Sequence, residues 1–238
     1  MNSDSKQNNA STPRRYRGPE GLGEDAASAL EAGARPSGSL GAMEEEAILK
    51  LWAEETKCLI HEDEWAKLRL ISNTTSEHEV RFRIGDHRAV KKTWPGTFGF
   101  VPKLDQENWT AKQALPSEYL YRQALQNEIF GDSIRLEGAM ASSGTESFVL
   151  IGQPAGGLSL VISQPWLDAI DPAEPHPDEI QIARHLADRG FESLFGTFFG
   201  WRNEDYRYVI LDAKSDNFIS TPQGIMPIDL LITEYAAS

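Results

Sequence analysis

The stretch Val209-Ile210-Leu211-Asp212-Ala213-Lys214-Ser215-Asp216-Asn217-Phe218-Ile219 decides how the rest of this sequence is read. Val209 to Leu211 read as an apolar strand that delivers Asp212, with Lys214 two residues on and Asn217 five residues on. Phe218-Ile219-Ser220 reads as the next strand, and the run from Ile225 to Ile232 as its return, carrying Asp229 directly after Pro227-Ile228. Between them, Thr221-Pro222-Gln223-Gly224 has proline second and glycine fourth, the signature of a type I turn. Such a hairpin returns the chain to the same end of its strands, so Asp212, Asn217 and Asp229 are expected to converge. Any one of them alone reads as a turn residue or a surface carboxylate. Three converging oxygen-bearing groups suit a hard cation such as Mg²⁺, which takes a few side chains and completes its shell elsewhere.

Working upstream, Val80, Phe82 and Ile84 alternate with Arg81 and Arg83 as in a half-buried strand, Gly85-Asp86 turns the chain, and Arg88 to Thr93 reads as the next strand. Alternation puts Lys91 and Lys92 on opposite faces of that strand, so only one of them can face a cleft. A loop rich in glycine, proline and aromatics follows, from Trp94 to Pro102. Residues 117–130 have helical spacing at Leu120, Ala124 and Ile129, with Ser117 as the expected N-cap after Pro116. Short apolar runs in 133–165 read as strands: Ile134 and Leu136, Phe148 to Ile151, and Leu158 to Ile162, the last ended by Gln164-Pro165. A second helix is expected over Pro177–Arg189, capped by Asp178 or a neighbour and stopped by Gly190. Ahead of the strands, Glu44 to about Leu59 is helical, with Ile48, Leu51, Trp52 and Leu59 on one face and acidic residues in its first turn. Residues 1–42 carry too few large apolar side chains for a core and read as a disordered tail, whose basic cluster is Arg14, Arg15 and Arg17. The order is strands, helix, strands, helix, hairpin, which is α+β rather than regular βαβ alternation.

Composition narrows the function. Of 238 residues, 36 are acidic and 23 basic, a formal charge of −13 that argues against strong nucleic-acid binding. The single cysteine, Cys58, excludes an internal disulfide and a cysteine-based zinc site. No run of eighteen apolar residues and no apolar signal core is present, so a soluble, cytoplasmic protein without membrane contact is expected. There is no G-x-x-x-x-G-K-[ST] loop, no G-x-G-x-x-G and no G-x-S-x-G elbow, and His61, His78, His87, His176 and His185 lack metal-helix spacing.

What remains is the Asp212–Asn217 pair. Its five-residue spacing matches the catalytic loop of protein kinases, where the aspartate accepts the substrate hydroxyl proton and the asparagine binds metal. A kinase also needs a lysine on an upstream strand and an acid on the helix that follows. Ala89-Val90-Lys91 and Glu118 supply these, with Lys92 and Glu128 as rivals.

The pieces Val90 to Gly99, Glu118-Tyr119-Leu120-Tyr121-Arg122, Asn127 to Asp132, Ile162-Ser163-Gln164-Pro165, Gly190-Phe191, Asp212 to Asn217 and Pro227-Ile228-Asp229 occur in an order that resembles the kinase-like domains of polyvalent proteins of bacterial mobile elements. The resemblance runs from about Ser72 to Ile232. It implies a reduced two-lobed protein-kinase-like fold: a docking helix over 43–62, a β-rich N-lobe over 63–163, and over 164–238 a truncated helical C-lobe with the catalytic loop and the metal-binding hairpin. It also implies ATP and Mg²⁺ as cofactors. Lys91 would hold the α- and β-phosphates and Glu118 would orient it. Asp212 would be the base, Lys214 would stabilise transition-state charge, and Asn217 and Asp229 would bind the metal. A hinge around Ser163 to Leu167, including Gln164, Pro165 and Trp166, would meet adenine.

The sequence departs from the family where Asn73-Thr74-Thr75-Ser76-Glu77-His78 replaces a glycine-rich loop, where Ile210-Leu211 replace His-Arg, and where Leu230-Leu231 replace Phe-Gly. The implied activity is transfer of the γ-phosphate to a hydroxyl, with a nucleotide and a protein substrate as partners. The alternatives are a catalytically inactive nucleotide-binding module and a small-molecule kinase.

Overall fold

In a computed structural model of the chain, residues 17–33, 40–73, 77–142, 157–205 and 207–235 are described. The expected strand at Phe148–Ile151 lies outside them. The elements are β1 (Glu20–Gly21), α1 (Gly23–Gly33), α2 (Ala42–Glu55), α3 (Glu62–Ala66), β2 (Arg69–Ser72), β3 (His78–Arg83), β4 (Arg88–Thr93), β5 (Phe100–Asp105) and β6 (Asn108–Gln113). After these come α4 (Pro116–Phe130), β7 (Arg135–Ser142), β8 (Gly157–Pro165), α5 (Glu179–Ala187), β9 (Glu192–Ser193), β10 (Trp201–Asn203) and β11 (Tyr208–Leu211). A 3₁₀ turn, Ser215–Asn217, then leads to β12 (Phe218–Thr221), β13 (Gly224–Pro227) and β14 (Leu231–Glu234). The fold is mixed α+β.

The largest sheet has six strands in the order β1-β7-β8-β4-β3-β2, antiparallel except for the short β1–β7 pair. The β3–β4 ladder sets Val80 opposite Lys91 and Glu79 opposite Lys92, so each lysine shares a face with its cross-strand partner. A four-stranded sheet, β14-β11-β10-β9, and two hairpins, β5–β6 and β12–β13, complete the strands. The β12–β13 hairpin closes at Thr221 opposite Gly224, as its turn residues predict.

Two buried cores share one helix. Tyr119 and Leu120 of α4 belong to the core formed with α1, α2, β7 and β8, whereas Leu125 and Phe130 belong to the core formed with α5, β11, β12 and β14. Helix α4 therefore spans both cores and fixes one sheet relative to the other.

Several expectations are corrected. The disordered reading of residues 1–42 fails over Glu20–Gly33: Ala26, Ala27 and Leu30 of α1 are buried in the first core. Alanine is small enough to seat a helix closely against α2, and Leu30 alone contributes about 1.5–3 kcal/mol on burial. Residues 1–16 and 34–39 lie outside the described set. Helix α2 ends at Glu55, and its buried face is Glu45, Leu49, Trp52 and Ala53, while Leu51 faces solvent. Leu49, Trp52 and Ala53 follow the i, i+3, i+4 spacing of one helix face, which Leu51 does not share. At the start of the span 63–163 implied to be a β-rich lobe, Trp65 lies in the short helix α3.

Helix α4 is capped from Leu115 with Pro116 in its first turn, and the Ser117 side chain bonds Glu45 instead of capping. Asp178 caps α5 as expected, accepting from the Gln181 N–H at 2.8 Å, and Gly190 follows the helix at φ +75°, a conformation glycine takes without strain. Residues 164–238, expected as a truncated helical lobe, hold one α-helix and six short strands among the described residues, because their apolar runs are only three to four residues long. Among the described residues no helix is long and apolar enough to cross a membrane.

Candidate functional site

Strand β11 ends at Leu211, and Asp212 takes φ +58°, a left-handed conformation that turns the chain sharply out of the sheet. Asp and Asn tolerate this region better than other L-residues. The Asn217 Nδ2 donates to both the Asp212 carbonyl, at 2.7 Å, and the Asp212 Oδ2, at 2.8 Å. The five-residue spacing is thus a closed local loop. Lys214 Nζ lies 3.4 Å from Asp212 Oδ1 and 3.8 Å from Asp216 Oδ2. The Ile228 N–H donates to the Asn217 carbonyl at 2.9 Å, which sets Asp229 beside Asn217 across the β12–β13 hairpin.

These groups form one wall of a cavity of about 520 Å³. Ile71, Val80 and Ala89 cover it from the six-stranded sheet, and Ile219, Ile228 and Leu231 underlie it. Lys91, Asp212, Lys214, Asn217 and Asp229 all line it, as do Gln164, Pro165, Trp166 and Leu167. Lys91 and Asp229, 138 positions apart in sequence, are brought to one space, as the sequence reading expects.

The pleat decides which of the two lysines faces the cavity. Lys91 is buried and faces the cavity, donating to the Gln164 Oε1 at 3.0 Å and to the Ile228 carbonyl. Lys92 faces away, 3.3 Å from Glu79 Oε2 and over the Trp65 ring. Burial pulls the Lys91 ammonium below its usual range, against the attraction of Asp229 and Asp132.

Two expected site residues are not brought to the cavity. Glu118 turns back on its own helix terminus: its Oε2 accepts the Leu115 N–H at 2.9 Å and its Oε1 lies 2.5 Å from Lys112 Nζ. It sits at the third helical position, where a carboxylate reaches the cap and satisfies an otherwise unpaired donor. The rival Glu128 is also engaged elsewhere, with Arg17 and Tyr208. Ser163 alternates away from Gln164 on β8, and its hydroxyl bonds Arg88, at 2.7 Å, and Glu137 on the far face of the sheet.

In place of Glu118, helix α4 presents Arg122 one turn on. Its guanidinium is 1% exposed; Nη2 lies 2.7 Å from Glu77 Oε2 and 3.1 Å from Asp229 Oδ1, and Nη1 donates to the Phe100 carbonyl at 2.7 Å. Glu77 also accepts the Phe100 N–H at 3.1 Å. Burial pushes the Glu77 carboxyl upward against the pull of Arg122. For Asp229, burial also pushes upward, but Arg122, Lys91 and Lys214 outweigh it and hold the carboxyl below its ordinary value. His78 lines the same space, with Nε2 3.0 Å from the Tyr119 hydroxyl and Nδ1 3.7 Å from Asp229 Oδ2, and burial pushes it down to about 3, so its imidazole is neutral at pH 7. Ligand atoms of Glu77, His78 and Asp229 lie within 4.8 Å of one another, and Arg122 already offsets the two carboxylates.

Sequence reading missed Glu77, His78 and Arg122. The available signal was Arg122 itself, a charge three residues from both Tyr119 and Leu125 and therefore on the buried face of its helix. Comparison with family models, with curated proteins and with solved structures gives no match to this chain.

Proposed function

We propose that the cavity binds a magnesium nucleotide and that the chain is a minimal protein-kinase-like phosphotransferase, moving the γ-phosphate to a hydroxyl, with protein Ser, Thr or Tyr as the acceptor class. One observation carries the reading: Lys91, Asp212, Lys214, Asn217 and Asp229 line one space together with the strand end Gln164–Leu167. Lys91 also sits on the third strand of the antiparallel run β2–β3–β4, the place of a kinase's phosphate-binding lysine.

The residues fit the nucleotide. The cavity, at about 520 Å³, is within the usual range for small-molecule sites. Among the described residues the Leu167 N–H makes no backbone hydrogen bond, whereas the Trp166 N–H donates to the His87 carbonyl at 3.0 Å, so Leu167 is the free donor for a base. Ile71, Val80 and Ala89 on one side and Ile219 on the other would sandwich an aromatic ring. Asn217 uses only its Nδ2 in its bonds to Asp212, leaving the carbonyl oxygen for a cation, and Asp229 offers Oδ2.

Bound magnesium nucleotide would supply the transferable phosphoryl group and the charge neutralisation it needs. The chain's own part is positioning. Lys91 and Lys214 place two cations along the phosphate path. Asp212, held in its left-handed turn by Asn217, presents a carboxylate to accept the hydroxyl proton. Apolar residues above and below exclude water.

The test is transfer of radiolabelled γ-phosphate with magnesium, in the wild type and in Asp212→Asn. The expected loss is about 10²–10⁴-fold, the usual contribution of a positioned base. Magnesium-dependent transfer that survives in Asp212→Asn rejects the assignment. The second reading, an inactive nucleotide-binding module, has one observation in its favour: among the described residues no helix carboxylate bonds Lys91, and Arg122 holds Asp229. A nucleotide-induced rise in melting temperature without turnover selects it.

A further inference from the structure

The group that meets the Lys91 ammonium from the neighbouring strand is an amide: Nζ donates to the Gln164 Oε1 at 3.0 Å. On the β4–β8 ladder Lys91 pairs with Ile162 and Ala89 with Gln164, so Lys91 and Gln164 are diagonal neighbours, within reach of two long side chains. Gln164 is 1% exposed, and its other contacts fix which way the amide points. Its Nε2 donates to Asp132 Oδ2 at 2.6 Å and to the Pro227 carbonyl at 2.9 Å. Both of those partners only accept and Lys91 only donates, so the carbonyl end of the amide must face the lysine. Both amide hydrogens are engaged, and Gln164 has no side-chain donor left for a nucleotide base.

Asp132 anchors this amide. It is buried, just past the end of α4. Its Oδ1 accepts the Ser133 N–H at 2.8 Å, and its Oδ2 accepts a second glutamine amide, that of Gln126 on α4, at 2.9 Å. Asp132 is also one of the carboxylates whose attraction works against the burial of Lys91. Pro227, which accepts from Gln164, leads into the segment proposed to hold metal: the Ile228 carbonyl accepts from Lys91, and the Asp229 carboxylate follows. The run Asp132–Gln164–Lys91 therefore joins the exit of α4 to the segment that carries Asp229. A group in this place sets where the ammonium stands relative to the metal carboxylate, and phosphoryl transfer depends on that placement.

Resting on the phosphotransferase reading, we propose that Gln164, anchored by Asp132, is the positioning residue of Lys91, in the role that the sequence resemblance gives to Glu118. Gln164 then acts on the phosphate end of the nucleotide and not on adenine, where the same resemblance places it. A neutral amide orients the ammonium through one carbonyl and leaves its full charge for the phosphates, whereas a carboxylate in contact offsets part of it. The anchoring charge of Asp132 stands one side chain further back.

Equilibrium binding of magnesium ATP and of adenosine to the full chain separates the two roles. Gln164→Met keeps the length of the side chain and removes the amide. It should weaken magnesium ATP about tenfold and adenosine by less than about twofold. With Lys91→Met already in place, adding Gln164→Met should weaken magnesium ATP by less than about twofold further, because the amide acts through the lysine. Asp132 does not line the cavity. Asp132→Asn turns one of its two acceptors into a donor and should give a smaller loss, about threefold, again confined to magnesium ATP. It decides the matter if Gln164→Met does not fold. Equal losses of magnesium ATP and adenosine, an unchanged affinity for magnesium ATP, or a further loss of about tenfold in the double variant overturns the proposal. A wild type that binds adenosine and magnesium ATP equally, or neither, overturns the phosphotransferase reading itself, and this proposal with it.

Discussion

On one wall of the cleft Arg122 and Glu77 hold each other, Lys91 is held by Gln164 and the Ile228 carbonyl, and all three are buried with partners 22 to 137 residues away. On the other wall Asp212, with its side chain 41% exposed, is held by Lys214 and Asn217, two and five residues on. The difference divides the labour. A buried ion network tolerates no missing member, because the charge left behind has neither water nor a partner. A half-solvated loop tolerates substitution, because water replaces what is lost. The first wall sets stability while presenting Lys91 to the cavity, and the second is free to carry the base.

Removing Arg122 should break this contrast most severely. Arg122→Met leaves Glu77 and Asp229 without their shared cation, and a loss of about 3–5 kcal/mol in urea unfolding is expected. A loss below 1 kcal/mol would show that the triad does not hold the wall. Arg122→Lys should remain strongly destabilised, since an ammonium cannot reproduce the forked contact to Glu77, Asp229 and the Phe100 carbonyl.

The same wall should respond to pH. His78 stays neutral in the folded state down to about 3, whereas in the unfolded chain it binds a proton below its ordinary value of 6.5. The folded state therefore binds fewer protons between those values, and the stability present above pH 6.5 is lost progressively as pH falls toward 3. At pH 5, without magnesium or nucleotide, the loss from His78 should be about 2 kcal/mol. His185, pushed down to about 4 by burial, adds in the same direction. Unfolding free energy measured from pH 7 to 5 should show a shallower slope in His78→Gln, and an unchanged slope would contradict the buried neutral imidazole.

The exposed wall should be permissive in fold and strict in backbone. Asp212→Asn keeps a residue that accepts φ +58° and should shift stability by less than about 1 kcal/mol. Asp212→Val, branched at Cβ in the same conformation, should cost about 1–3 kcal/mol more. Thermal melts of the two variants separate backbone strain from the loss of charge. The smallest effect belongs to Glu118→Gln, whose carboxylate meets a half-exposed lysine and a helix terminus. About 0–1 kcal/mol and unchanged phosphate transfer are expected. A large fall in transfer would return Glu118 to the site.

This contrast also explains what could be read from sequence. The Asp212–Asn217 loop, the Thr221–Gly224 turn and the Asp178 cap depend on neighbours within five residues, so their spacing carries the structure. The Lys91 face follows from alternation once Gln164 is known to lie across the ladder, which no local pattern states. Arg122, Glu77 and His78 acquire their roles from packing between distant elements. Glu118 misled because an acid early in a helix serves capping as readily as catalysis, and the residue type does not distinguish the two. Helix α1 was hidden by its alanines, which contribute little hydrophobic signal yet allow close helix packing.

A crystal structure of the chain with magnesium and a non-hydrolysable ATP analogue tests the proposed nucleotide cleft most directly. The predicted complex has the base against the Leu167 backbone, the phosphates at Lys91, and the metal on Asn217 and Asp229. A nucleotide bound outside this cavity, or a cavity that stays empty at millimolar nucleotide while Asp229 keeps its ion pair with Arg122, would contradict it.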